Sequence, residues 1–196
     1  MHTTTVQILI GLAAGVGLSA ATGLRVFVPL LGVSIAALTG HLPLAAGFQW
    51  LGTWQALAAF AAATAVEIAA YYIPWLDHAL DTVAAPAAVT AGTLLTVSLL
   101  GDASPLLRWT LGIIAGGGVA GLVQAGSMLV RGASTAATGG FGNHLVATLE
   151  WVGSAVLTVV ALLLPLICLV GAIALLVWAI RRIGRSRRRS APVLKM

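Results

Sequence analysis

Asp77, His78 and Asp81 form the densest group of ionisable residues in the chain. Aspartates four apart share one face of a helix, whereas His78 points about 100° away from Asp77. With Glu67 nearby in sequence, the two carboxylates are candidates to share a proton or hold a cation. They equally suit helix capping at a membrane surface. A His/Asp group this loose is not a metal signature, and neither metal nor cofactor is expected.

A second concentration is Arg131-Gly-Ala-Ser134-Thr135-Ala-Ala-Thr138-Gly-Gly-Phe-Gly-Asn143, followed six residues past His144 by Glu150. Three hydroxyls, glycine backbone amides and an arginine can hold an anion, because amides at a helix N-terminus attract negative charge and arginine binds phosphate or carboxylate bidentately. No Gly-Lys-Ser/Thr follows, so this is not a Walker loop. Ser134 near His144 has no glycine elbow or orienting acid, so no hydrolase triad is indicated. Glu150 is placed to pair with Arg131 or Arg108. Arg25 stands alone in an apolar stretch, where it snorkels, neutralises a buried acid such as Glu67, or contacts an anion. Charge in hydrocarbon is costly, which makes each such residue a functional candidate. The candidate substrate- or ion-binding set is Arg25, Glu67, Asp77, Asp81, Arg131, Ser134, Thr135, Thr138, Asn143 and Glu150.

These residues must be positioned by membrane helices. Of 196 residues, 60% are hydrophobic and 8% charged, with a mean hydropathy of +1.05. Soluble domains carry about a quarter charged residues, so a soluble enzyme, a disordered regulator and a disulfide-built module are excluded. The lone Cys168 can form no intrachain disulfide and reads as a small apolar side chain. Seven of the ten cations lie in residues 181–196, leaving three arginines and five acids before them. That basic tail is expected to be cytoplasmic, with attraction to anionic lipid as a further property. No base-reading module accompanies it, so nucleic acid is not an expected partner. The first apolar run has no preceding Lys or Arg and continues into more apolar sequence, so a retained first segment is expected rather than a cleaved signal.

A spanning helix needs about 20 residues. Val6–Leu38 is too long for one span and carries Gly23, Arg25 and Pro29, which predicts a break near Thr22–Arg25. Residues 40–53 read as an interfacial loop with Trp50 and Trp54 at headgroup level. Trp54–Tyr72 reads as a span, residues 75–84 as a short polar-striped helix, and Pro86 as the opening of a further run to Leu100. Gly101–Pro105 reads as a turn with Asp102 or Ser104 capping the next helix. Leu106–Val130 is a span in which Gly112/Gly116 and Gly117/Gly121 form small-xxx-small pairs. Residues 131–144 read as a polar loop, and Leu145–Ile183 as two pieces broken at Pro165. The expectation is an all-α polytopic membrane bundle of six embedded segments, one more or fewer, in one domain over residues 1–180 with a basic tail over 181–196. Gly17-Leu18 to Arg25 and Gly121-Leu122 to Arg131 are loosely alike, a hint of an internal repeat of the kind that marks transporters.

Three stretches carry a family resemblance: GLSAATGLRVFVPLL, VEIAAYYIPWLDHALDTVAAPAAVTAGTLL and RGASTAATGGFGNHLVATLE. They resemble, in order, the motifs of the bacterial membrane family called domain of unknown function 4126. On that resemblance Glu67, Pro74, Asp77, Asp81 and Pro86 match the central motif. Arg131, Ser134, Thr135, Thr138, Gly139, Gly140, Gly142, Asn143 and Glu150 match the third. The chain departs from the family at Tyr71-Tyr72, where many members resemble Asp-Lys, and at His144, where many carry proline. The resemblance implies a multi-pass inner-membrane protein and no established activity. The functional expectation is a transporter or channel for a small, anionic solute or ion with carboxylate-linked proton or cation coupling. The alternatives are a scaffold or lipid-binding homo-oligomer built on the glycine faces and, third, a membrane-embedded lipid enzyme.

Overall fold

A computed structural model describes the backbone of residues 2–70, 74–168, 170–171, 173–174, 177 and 181, and side chains over 5–70, 83–168 and the described positions beyond. Asp77, His78 and Asp81 lie in a described helix, but their side chains fall outside the described residues, as do Tyr71–Ile73 and most of the basic tail. The described chain is all helix, with no strand. In order it forms α1 (His2–Leu24), α2 (Phe27–Leu38), a 3₁₀ turn (Gln49–Gly52), α3 (Trp54–Ala70), α4 (Pro74–Leu99), α5 (Pro105–Leu111), a π-helical turn (Gly112–Gly117), α6 (Gly118–Thr138) and α7 (Asn143–Leu163).

Among the described residues three stretches are long and apolar enough to cross a membrane: Thr5–Leu24, Pro105–Thr138 and Asn143–Leu163; Phe27–Leu38, Trp54–Ala70 and Val83–Leu99 are shorter apolar helices. The distribution of side chains suits lipid as solvent. Leu106, Leu129, Leu145, Leu149 and Leu163 stand exposed, whereas Ser19, Thr22, Arg25, Gln124, Ser127, Glu150, Ser154 and Thr158 are buried. Polar groups turn inward where hydrocarbon would leave them unsatisfied.

The break in the first apolar run falls where it is expected, between Leu24 and Phe27. Pro165 likewise follows the end of α7. Gly17 faces both Ala161 and Cys168 across close contacts. One straight helix would hold residues seven apart about 10 Å from each other, so the chain doubles back here. Cys168 is buried against α1 in the core. Ser104 is the N-cap of α5, its hydroxyl accepting from the Leu107 amide.

Two expectations are corrected. Residues 75–84 are not a separate helix and Pro86 opens nothing: α4 runs unbroken through Pro86. Proline inside a membrane helix is tolerated more readily than in water. The Thr90 hydroxyl, one turn on, bonds back to the Pro86 carbonyl at 2.8 Å. Residues 131–138 are not loop but the last two turns of α6, which ends at Gly139 and Gly140 with φ of +63° and +96°. Pro105–Thr138 is therefore one 34-residue helical run, about 50 Å long.

The glycine pairs make the close helix approach expected of them. Gly112, Gly116, Gly117 and Gly121 meet Val97, Thr96, Gly92, Thr93 and Val89 of α4 in the same chain. The π turn thus lets two helices approach at backbone distance. Ser19 of α1 joins this seam, donating to the Gly92 carbonyl at 2.9 Å and lying 3.0 Å from the Thr96 hydroxyl. A Cβ on Gly92 would sit 2.7 Å from the Ala120 Cβ and 3.0 Å from the Gly116 carbonyl oxygen, whereas Gly126 has open space around it. Gly92→Ala is expected to cost about 1–3 kcal/mol by overpacking. Gly126→Ala should stabilise by up to about 1 kcal/mol through helix propensity. Thermal unfolding of the two variants in detergent checks the opposite signs.

Candidate functional site

The site is built where α1 stops. Arg25 sits in the link between α1 and α2 and is buried, 4% exposed. Its Nη2 donates to Glu150 Oε2 at 2.6 Å and to the Ala147 carbonyl at 3.4 Å. Arg131, from α6, binds the same carboxylate from the other side: Nη2 lies 2.5 Å from Oε2, and Nε 3.2 Å from both oxygens. The Ser127 hydroxyl, one helical turn before Arg131, donates to Glu150 Oε1. Glu150 is 6% exposed. One carboxylate from α7 therefore ties together the α1–α2 link and α6.

The helices place these groups by spacing. On α7 the buried residues are Ala147, Glu150, Ser154, Thr158 and Ala161, three or four apart, so they form one stripe. Ser154 donates to the Ala21 carbonyl at 2.9 Å, registering α7 against the last turn of α1. On α6 the corresponding stripe is Ala120, Gln124 and Ser127, with Arg131 continuing it.

Glu67 has a different role from the ion pair expected with Arg25. Its Oε1 accepts from the Val26 amide at 3.0 Å and its Oε2 from the Phe27 amide at 3.2 Å. A carboxylate on α3 thus covers the exposed amides at the start of α2, where the helix dipole favours negative charge. Arg25 and Arg131 both act on it electrostatically.

Between these groups lies a cavity of about 340 Å³, walled by Leu24, Val26, Phe27, Ala63, Val66, Val83, Ala84 and Ala87 and carrying Arg25, Glu67, Gln124, Ser127 and Arg131. That volume is in the range of small-ligand sites, roughly 300–1,000 Å³, as is the pattern of apolar walls with few convergent polar groups.

Of the residues singled out from sequence, Arg25, Glu67, Arg131 and Glu150 come together. Ser134, Thr135, Thr138 and Asn143 do not join them. Thr135 and Thr138 donate back to the Arg131 and Ser134 carbonyls, Thr138 accepts from the Gly142 amide, and Asn143 donates to Thr135. They close the α6–α7 turn, which is exposed. Arg108 is not the partner of Glu150; that place is taken by Arg25 and Arg131. Gln124 and Ser127 join them without having been singled out, although their places seven and four residues before Arg131 carry the signal.

All three resembling motifs contribute here: Arg25 from the first, Glu67 from the second, Arg131 and Glu150 from the third. No curated protein and no solved structure matches the chain. The model of one family, Domain of unknown function (DUF4126), matches residues 12–185. With most of its length matched and every group of the buried charge cluster inside that match, the chain belongs to the DUF4126 family.

Proposed function

We propose that the protein is a small membrane transporter or channel for a small anionic solute, with the anion entering the cavity beside Arg25 and Arg131 and Glu67 carrying a coupled proton. The observation that carries this reading is the cavity itself: two arginines, a glutamine, a hydroxyl and a helix-capping carboxylate at one apolar-walled space. Ionisable groups inside a membrane bundle are costly unless they serve a pathway, and interrupted helices whose N-termini meet anionic groups are a transporter device.

Charge counting supports the coupling. Arg25, Arg131 and Glu67 line one cavity. Protonating Glu67 adds one positive charge there. One monovalent anion then offsets that added charge, so one proton accompanies each anion and no net charge moves. The basic tail supports a plasma-membrane protein with that end in the cytoplasm.

The test is uptake by the full chain in liposomes, using nitrate, phosphate and acetate as probes. An acidic exterior should accelerate uptake of at least one probe, whereas an imposed membrane potential should not. Gln124→Leu should abolish uptake while the protein still folds. Uptake no faster than in protein-free liposomes for every probe would overturn the reading.

A further inference from the structure

The charged cavity does not end at its polar groups. A second, apolar groove of about 410 Å³ shares Val26, Phe27 and Ala87 with it and continues past Leu30, Phe60 and Leu94 to Trp50. Along α4 the groove runs from Pro86 to Leu94, about 12 Å. Trp50 and Phe60 close its far end, their rings 6.2 Å apart and tilted by 47°. Among its described lining residues the polar groups are the indole N–H of Trp50 and the Thr90 hydroxyl, which is used by the Pro86 carbonyl.

A small hydrophilic anion has no use for such a groove. We infer that the ligand is an anionic amphiphile with one alkyl chain: its carboxylate or phosphate head lies by Arg25 and Arg131, and its chain lies between α2 and α4 toward Trp50. The inference rests on the anion-site reading and adds the ligand's apolar part. Charge and shape agree on this occupant. Arg25 and Arg131 line the cavity, and the groove that adjoins it at Val26, Phe27 and Ala87 reaches the aromatic pair Trp50 and Phe60. Arginine suits either head because both present paired oxygens to its planar fork. The dimensions fit a single chain: the groove holds about 410 Å³ and extends along α4 from Pro86 to Leu94.

The experiment measures binding of alkyl phosphates and alkyl carboxylates, from two to twelve carbons, to the full-length protein in phosphatidylcholine nanodiscs. Empty nanodiscs are subtracted to remove partition into lipid. Each added methylene buried in an apolar site is worth about a fourfold gain in affinity. Affinity is expected to rise by that step until the groove is filled and then level off. The phosphate and carboxylate series, run separately, identify the head. Leu94→Trp fills the groove and Thr90→Phe narrows it at an exposed position that poses little risk to folding. In both, the shortest anions should bind as in wild type while the chain-length gain is lost. A flat chain-length profile in wild type with short anions still bound would overturn the amphiphile inference and leave the anion site standing. Equal binding of uncharged alkyl glycosides would overturn it too, and no binding of any anion would remove both.

Discussion

Glu150→Gln is expected to destabilise the protein by about 3–5 kcal/mol, the largest effect of any single substitution in the cluster. Breaking a buried ion pair by removing one partner leaves charge uncompensated. Here one carboxylate holds two arginines, Arg25 at 2.6 Å and Arg131 at 2.5 Å. A glutamine keeps the volume and one acceptor oxygen but removes the charge both guanidiniums share. The loss should be reduced when the arginines go as well. Replacing a whole buried ion cluster by apolar residues of similar volume is often neutral or better. The triple change Arg25→Met, Glu150→Leu, Arg131→Met should therefore unfold at a higher temperature than Glu150→Gln alone. Thermal unfolding in one detergent orders wild type, single and triple variants, and equal losses in the last two would mean that the cluster is held for packing rather than charge.

Glu67 separates the two jobs of its carboxylate. Glu67→Ala removes the acceptor of both the Val26 and Phe27 amides. An unsatisfied buried donor costs about 1–3 kcal/mol, so this variant should lose about 2–5 kcal/mol. Glu67→Gln keeps an acceptor oxygen and should lose only about 1 kcal/mol, while holding that position neutral at every pH. Its anion binding should persist and no longer depend on pH, whereas wild type should bind more tightly as pH falls, because the protonated Glu67 admits the anion. Titration of both proteins with one probe anion at acidic and alkaline pH checks the sign. Parallel pH profiles for the two would remove Glu67 from the coupling role.

Much of the fold is legible because apolar runs and their interruptions are local. Gly23, Arg25 and Pro29 mark the α1–α2 break, and Pro165 marks the end of α7. Other local signals mislead for a physical reason. In water, Pro86 and the Ser/Thr/Gly run after Arg131 would read as helix breakers. Within the bundle α4 runs unbroken through Pro86, and Thr135 and Thr138 bond back to the carbonyls of their own helix, a habit of these side chains. The helix then continues to the positive-φ pair Gly139 and Gly140. The glycine pairs of the π turn carry a helix-contact signal that is correct, yet nothing in their spacing says that the partner is α4 of the same chain.

The site is legible in residue type and opaque in partnership. Arg25, Glu67, Arg131 and Glu150 stand out because charge is rare in this sequence. Arg25 and Glu150 meet across 125 positions, and only the three-dimensional register of α1 on α7, set by Ser154 on Ala21, brings them together. Glu67 is an acid that a sequence reader pairs with the nearest arginine. It instead covers backbone amides, which no sequence spells out. Gln124 and Ser127 were within reach, since a polar stripe at helical spacing leading to Arg131 is unusual in an apolar span.

The central claim is that the cavity beside Arg25 and Arg131 binds an anion, and the most direct measurement is ligand-induced thermal stabilisation of purified protein. Wild type, Gln124→Leu and Glu67→Gln would be heated with acetate, phosphate and their alkyl derivatives at acidic and alkaline pH. A ligand at 100 times its Kd stabilises by about 2.7 kcal/mol. The account predicts such a shift in wild type, larger at acidic pH, undiminished at either pH in Glu67→Gln, and lost in Gln124→Leu. An unshifted wild type, or a shift of equal size in Gln124→Leu, would contradict it.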